Sequence, residues 1–198
     1  MTTLGKTSNM SKIICRKHGM ILEKFVEKNH YRLTFKLKNE RIILRNIINY
    51  NLYNLLAKLN KELIENIRII NNDTNKEPEN INEKICNILI ILKQVGADFG
   101  IKAKYIYTET KMVEYEDRIQ FISNNTECPK NVFSSNIHEL VTDGSSIMNI
   151  FFLNNNEANI VYDFSMVTDD KLPIYMEDMM GLLMKKVFFS LKTFIENI

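Results

Sequence analysis

Glycine is scarce in this chain. The six glycines, Gly5, Gly19, Gly96, Gly100, Gly144 and Gly181, are too dispersed to write a Walker loop or a dinucleotide-binding fingerprint, which excludes nucleotide chemistry of those kinds. Cysteine is sparse as well. Cys15, Cys86 and Cys128 are odd in number and far apart, unlike a disulfide framework, and fit a reducing, intracellular compartment, cytoplasmic or nuclear. Long apolar runs are missing: stretches such as 88–92 and 150–153 fall far short of the roughly 20 residues that cross a bilayer. No membrane span is expected. Residues 1–12 also lack the apolar segment of roughly 7–15 residues that a secretory signal needs.

Signatures of chemistry are missing too. Cys15 and His18 have a metal-like spacing, but a structural zinc site takes four ligands and no second pair accompanies them, so neither metal nor cofactor is expected. His138-Glu139 near Asp143-Gly144-Ser145-Ser146 offers the residue types of acid–base or nucleophilic work without their positional pattern, as a polar loop does. The acidic cluster Glu114, Glu116 and Asp117 lacks the ligand spacing of a calcium loop and reads as a solvated strand edge. The chain is therefore read as non-catalytic.

What is abundant is isoleucine and asparagine, 27 and 25 residues against 4 alanines, the bias of an AT-rich genome. Both have low helix propensity, so helical readings built on them are less secure. From Tyr31 to Lys38 apolar and polar residues alternate strictly, which predicts a strand with Tyr31, Leu33, Phe35 and Leu37 on one face. Before it, His18-Gly19 can turn a hairpin within residues 12–27, although helical spacing is also present there. Apolar residues three or four apart predict a long helix over 40–70, broken around 49–54, and a second over 81–95 ended by Gly96. Residues 71–80 form a polar loop between them.

Beyond Gly100 the period becomes two. Segments 101–110 and 112–123 read as adjacent strands with Val113, Tyr115, Ile119 and Phe121 on one side. A turn-rich connection over 124–146 holds one short element near 137–141, and 147–153 with 160–167 form a hairpin around residues 154–159. The chain closes on a helix capped near Thr168, Asp169 or Asp170, with Pro173 in its first turn. Its apolar stripe, Met179, Leu183, Val187, Leu191 and Ile195, widened by Met176, Met180, Phe188 and Phe194, must cover a partner. The expected architecture is a single two-layer α+β domain over 12–198, with a flexible tail over 1–11. An antiparallel sheet is packed by a helix pair and a long C-terminal helix, an order compatible with a helix-grip-like arrangement.

Charge is graded along the chain: residues 1–58 hold 12 Lys or Arg against 3 Glu, whereas residues 107–180 hold 4 against 13 acids. Arg16, Lys17, Lys24, Lys28, Arg32, Lys36, Lys38, Arg41 and Arg45 can form one basic N-terminal surface for an acidic protein or for phosphates. The alternative is that they pair internally with the acidic half. These features favour a non-catalytic protein–protein interaction subunit of an intracellular multi-protein complex, with a protein partner and room for a homo-oligomer. Two other readings stand beside it. One is a nucleic-acid-associated accessory factor using the same basic residues; the other is a carrier of a small apolar ligand, which requires an internal apolar cavity between the last helix and the sheet.

Overall fold

A computed structural model of the chain describes residues 11–25, 30–71, 82–94, 102–141, 144–165 and 174–198. Strand β1 (Ser11–Lys17) turns through His18 and Gly19 into β2 (Met20–Phe25), with Lys17 opposite Met20. Both turn residues have positive φ, +58° and +68°, the geometry of a two-residue type I′ hairpin, and glycine meets the second without strain. Strand β3 (His30–Lys38) follows the predicted alternation, burying Tyr31, Leu33, Phe35 and Leu37.

Two short helices, α1 (Leu44–Ile47) and α2 (Asn51–Leu59), then lead to β4 (Ile64–Asn71) and β5 (Glu83–Leu92). The expected helix over 40–70 therefore ends at Leu59, and the expected helix over 81–95 is a strand. Isoleucine explains both corrections. Ile64, Ile67, Ile69 and Ile70, and Ile85, Ile88, Ile90 and Ile91, are β-branched and pack well on a pleated surface, while a spacing of three or four in so isoleucine-rich a chain does not separate helix from strand. Asn60 closes α2 by donating its side-chain amide to the Leu56 carbonyl at 2.9 Å. Gly96 and most of the predicted polar loop lie outside the described residues.

Strand β6 (Ala103–Glu114) runs unbroken through Lys111 and turns at residues 115–117 into β7 (Arg118–Asn125). The turn reverses the pleat: Ile119 and Phe121 point to the face of Met112, whereas Val113 is on the opposite one. Short β8 (His138–Leu140) lies parallel to the start of β6. Strands β9 (Ser145–Asn154) and β10 (Glu157–Ser165) form the expected hairpin with a tighter turn, only residues 155 and 156. Helix α3 (Ile174–Asn197) closes the chain; the proposed caps at 168–173 lie outside the described residues, as do residues 1–10 of the expected tail.

The ten strands form one mostly antiparallel sheet in the order β1-β2-β3-β10-β9-β7-β6-β5-β4, with β8 beside β6. The fold is a two-layer α+β arrangement of helix-grip type, in which α2 and α3 pack together over one face of the sheet. Phe188, Leu191 and Ile195 of the predicted stripe are buried, while Phe194 is exposed. Gly181 sets the distance of approach: a Cβ there would come within 2.9 Å of the Tyr31 ring and 3.3 Å of Leu22. At the other end of α3, buried Asn39 donates to the carbonyls of Ile195 (2.6 Å) and Ile198 (3.0 Å).

Gly181→Ala therefore sets a gain in helix propensity of about 1 kcal/mol against an overpacking cost of roughly 1–3 kcal/mol. Because the Tyr31 ring is buried and stacked on Phe164 at 5.3 Å, it has little room to move, and overpacking wins. The expected outcome is a melting temperature a few degrees lower, while Leu182→Ala, one residue on and exposed, leaves it nearly unchanged.

Candidate functional site

The register assembles the concave face row by row. One row is apolar throughout: Leu22, Leu33, Tyr162, Met148, Phe121 and Met112 lie side by side across six strands. The next row begins with Tyr31 and Phe164 and then changes character to Ser146, Ser123, Thr110 and Cys86 on β9, β7, β6 and β5. A polar band thus crosses one half of an apolar cup.

Its hydroxyls are linked. Thr110 Oγ1 is 3.0 Å from Ser123 Oγ and 3.1 Å from Thr108 Oγ1, all three buried. Two tyrosines hang over the row from the α2 segment. Tyr50 Oη donates toward the carbonyls of Lys84 (2.6 Å) and Thr110 (2.9 Å), and its ring meets Phe121 edge-on at 5.9 Å. Tyr53 also meets Phe121 edge-on, at 6.5 Å, with its hydroxyl near those of Ser123 and Thr110. From the sheet, Tyr162 brings a third phenol beside Ser146 and packs its ring on Phe188 of α3 at 4.8 Å.

The row is built to stay uncharged. Burial raises the pKa of Tyr50, Tyr53 and Tyr162 above the ordinary phenol range, and burial raises that of the Cys86 thiol to about 11 although Tyr50 pulls the other way. Such a surface offers hydrogen bonds without charge, inside walls of Ile, Leu, Met and Phe. Among the described residues no group of three or more His, Cys, Asp or Glu is placed to hold a metal ion.

None of these residues was expected to line a ligand site, although Cys86 and Ser146 were named in other connections. Serine and threonine on strands carry no motif, and their convergence depends on register between strands far apart in the chain. The basic residues that were singled out do not share one face. Arg16 and Lys17 are exposed on successive positions of β1, and Lys28 lies outside the described residues. Lys24 reaches Asp178 of α3 at 3.4 Å and sits over the Tyr31 ring. Arg32 is held by Asp163 through Nε (2.7 Å) and Nη2 (3.1 Å), which raises its pKa. Lys36 meets Glu157 at 2.6 Å, lowering the carboxyl pKa of Glu157, and Lys38 lies between Glu40 (3.1 Å) and Glu157 (3.7 Å). Arg41 is exposed beside Asn39, and Arg45 donates to the carbonyls of Tyr115 (3.0 Å) and Glu116 (2.6 Å) while covering Phe152. Much of the basic front is thus matched by the acidic rear, as the internal-pairing alternative requires.

No protein-family model matches the sequence, and no curated protein matches it. Solved structures do. The StAR-related lipid transfer protein (fragment 25–204) from Xanthomonas axonopodis superposes with a TM-score of 0.65 at 6% identity, over 93% of this chain and 98% of that one. Human StAR-related lipid transfer protein 5 gives 0.62 at 16% identity, over 96% and 90%. The lipid transfer and protein localization domain of human StarD13 gives 0.66 at 7% identity, over 98% and 92%. Identities this low carry the fold and no more. The likeness nevertheless corrects the leading expectation: the names of these structures point to lipid transfer, which fits the alternative of an apolar-ligand carrier and runs against the complex-subunit and nucleic-acid readings built on the basic N-terminal surface. The expectation of a non-catalytic protein agrees with it. Among the described residues no helix is long and apolar enough to cross a membrane. The chain shares the architecture of StAR-related lipid transfer domains.

The geometry around Cys86 makes one direct prediction. With a pKa near 11 and 2% exposure, only about one thiol in a thousand is ionised at pH 8, whereas Cys15 and Cys128 are partly exposed. Alkylation by iodoacetamide, followed by peptide mass spectrometry, is expected to label Cys86 far more slowly than Cys15 until denaturant is added.

Proposed function

We propose that this chain binds a small apolar or lipid-like ligand between the concave face of the sheet and helices α2 and α3, and carries it. One observation supports this above the rest. Tyr53 and Tyr162 lie deep between the sheet and the helices, yet both keep accessible surface, as do Met148 and Met184 around them. A ring at the centre of a molecule that is not fully covered borders internal space. That space is walled mainly by apolar side chains with a few convergent polar groups, the usual character of a small-molecule site. The likeness to lipid transfer domains supports the same reading.

Apolar contact supplies the affinity, at about 0.8 kcal/mol for each CH₂ taken out of water. The hydroxyls add about 0.5–1.5 kcal/mol per hydrogen bond and so orient the ligand more than they hold it. The three free thiols suit a reducing compartment, where a carrier of this kind would work without disulfides.

Titration with N-phenyl-1-naphthylamine, which fluoresces on entering apolar surroundings, tests the proposal. A saturable, stoichiometric increase is expected. Met148→Trp, which fills the space from the apolar row, is expected to weaken uptake at least about tenfold with the circular dichroism spectrum preserved. A folded wild-type protein that gives no saturable signal would sink the proposal.

A further inference from the structure

We infer that the convex face of the sheet is the interface of a two-fold homodimer, in which β7 of one copy lies over β9 of the other.

Alternation puts Ile122 and Ile147 on the face opposite Phe121 and Met148, away from the cup. The register lays out one row across four strands: Asp163 on β10, Ile147 on β9, Ile122 on β7 and Lys111 on β6. Ile147 is 41% exposed near its middle, and Ile85, next after Lys111 on β5, is 38% exposed. Among the described residues no helix packs on this side of these strands. The cover formed by Val132, Phe133 and Leu140 lies over Leu89 and Tyr107, farther along β5 and β6. Isoleucines left open side by side in the middle of a sheet mark a docking surface.

The occupant follows from the order of the residues, because the row is self-complementary. A half-turn about an axis along the strands, midway between β7 and β9, exchanges β9 with β7 and β10 with β6. Ile147 then meets Ile122 of the second copy, and Asp163 meets its Lys111. The next row obeys the same rule: the amides of Asn149 and Gln120 change places, and the two already bond to each other at 2.8 Å within one chain. One row further, Phe151 meets Arg118, which already lies over the Tyr115 ring at 4.1 Å. No like charges are opposed in these rows.

Charge also argues against other occupants. Each flank carries both signs, Arg32 with Asp163 at 2.7 Å and Glu83 with Lys111 at 2.6 Å, so a uniformly acidic or basic partner gains nothing from either. Size sets the strength. Six strands from β3 to β5, about 4.8 Å apart, and three rows about 7 Å apart give roughly 600 Å² on each copy. A total of roughly 1,200 Å² is the lower end of specific interfaces, so the dimer is expected to be weak, with a micromolar Kd.

Sedimentation of the full chain between about 1 and 300 μM tests this. The mass is expected to rise with concentration from 23.3 kDa toward twice that value. Ile147→Lys and Ile122→Glu, each with an unchanged circular dichroism spectrum, are expected to weaken self-association at least about tenfold by setting a charge against isoleucine. Mixed in equal amounts, the two variants are expected to associate with each other again, because the introduced lysine and glutamate then face across the axis. Asn149→Lys with Gln120→Glu makes the same comparison should Ile122→Glu fail to fold. A monomer at every concentration would overturn the proposal, as would a dimer that these variants leave intact or a mixture that does not recover. A monomer that floats with phosphatidylcholine vesicles and loses this in Ile147→Lys would give the face to a membrane and overturn the dimer as well.

Discussion

Helix α3 lies close against β2 and β3 because position 181 carries no side chain. The rest of the cup depends on that approach. Were the helix held further out, Phe188 could not meet Phe35 and Tyr162 together, at 6.0 and 4.8 Å, and the apolar row beneath would be open to water. The opposite end is fixed by different means: Asn39 gathers the last carbonyls of α3, while Asn156 ties the main chain of residues 39 and 42 to the β9–β10 turn. One contact is steric and the other polar, and between them the helix has a defined height over the sheet.

Within this frame polarity is segregated. Charges on the outer face of β3 are satisfied by their neighbours on β10, Arg32 with Asp163 and Lys36 with Glu157, pairs worth about 0–1 kcal/mol each when exposed. They keep that face soluble and contribute little to holding the strands together. Inside, apart from Lys185 and the asparagine ties, the polar groups are neutral hydroxyls and phenols, which can be desolvated at far lower cost than ions. Part of the graded charge along the chain is thus matched across one strand pair.

Much of the fold could be read from residue order wherever one signal dominated. Strict alternation placed β3, His18-Gly19 placed the first hairpin, and a four-residue repeat placed α3. The reading failed at β4 and β5, where isoleucine at irregular spacing satisfies a helical template and a strand equally, and only the pairing of the two strands with each other and with β6 decides. The asparagines were opaque for another reason. Among 25 of them, Asn39, Asn60 and Asn156 act as buried or half-buried ties, and nothing local separates these from the others. The hydroxyl row was invisible altogether, because Cys86, Thr110, Ser123 and Ser146 become neighbours only through the order of four strands.

The convex side of β5 and β6 carries a core of its own. Leu89, Ile91 and Tyr107 are buried there under Val132, Phe133 and Leu140 of the segment that ends in β8. Those two strands are therefore clamped from front and back, and at crystal-like packing density neither can bow outward. Among the described residues, strands β3 and β10 have no comparable cover, only the surface ion pairs already described. If the proposed ligand enters, any swelling falls to this thinner half of the wall and to the helices above it, so that the cup has one stiff side and one compliant one.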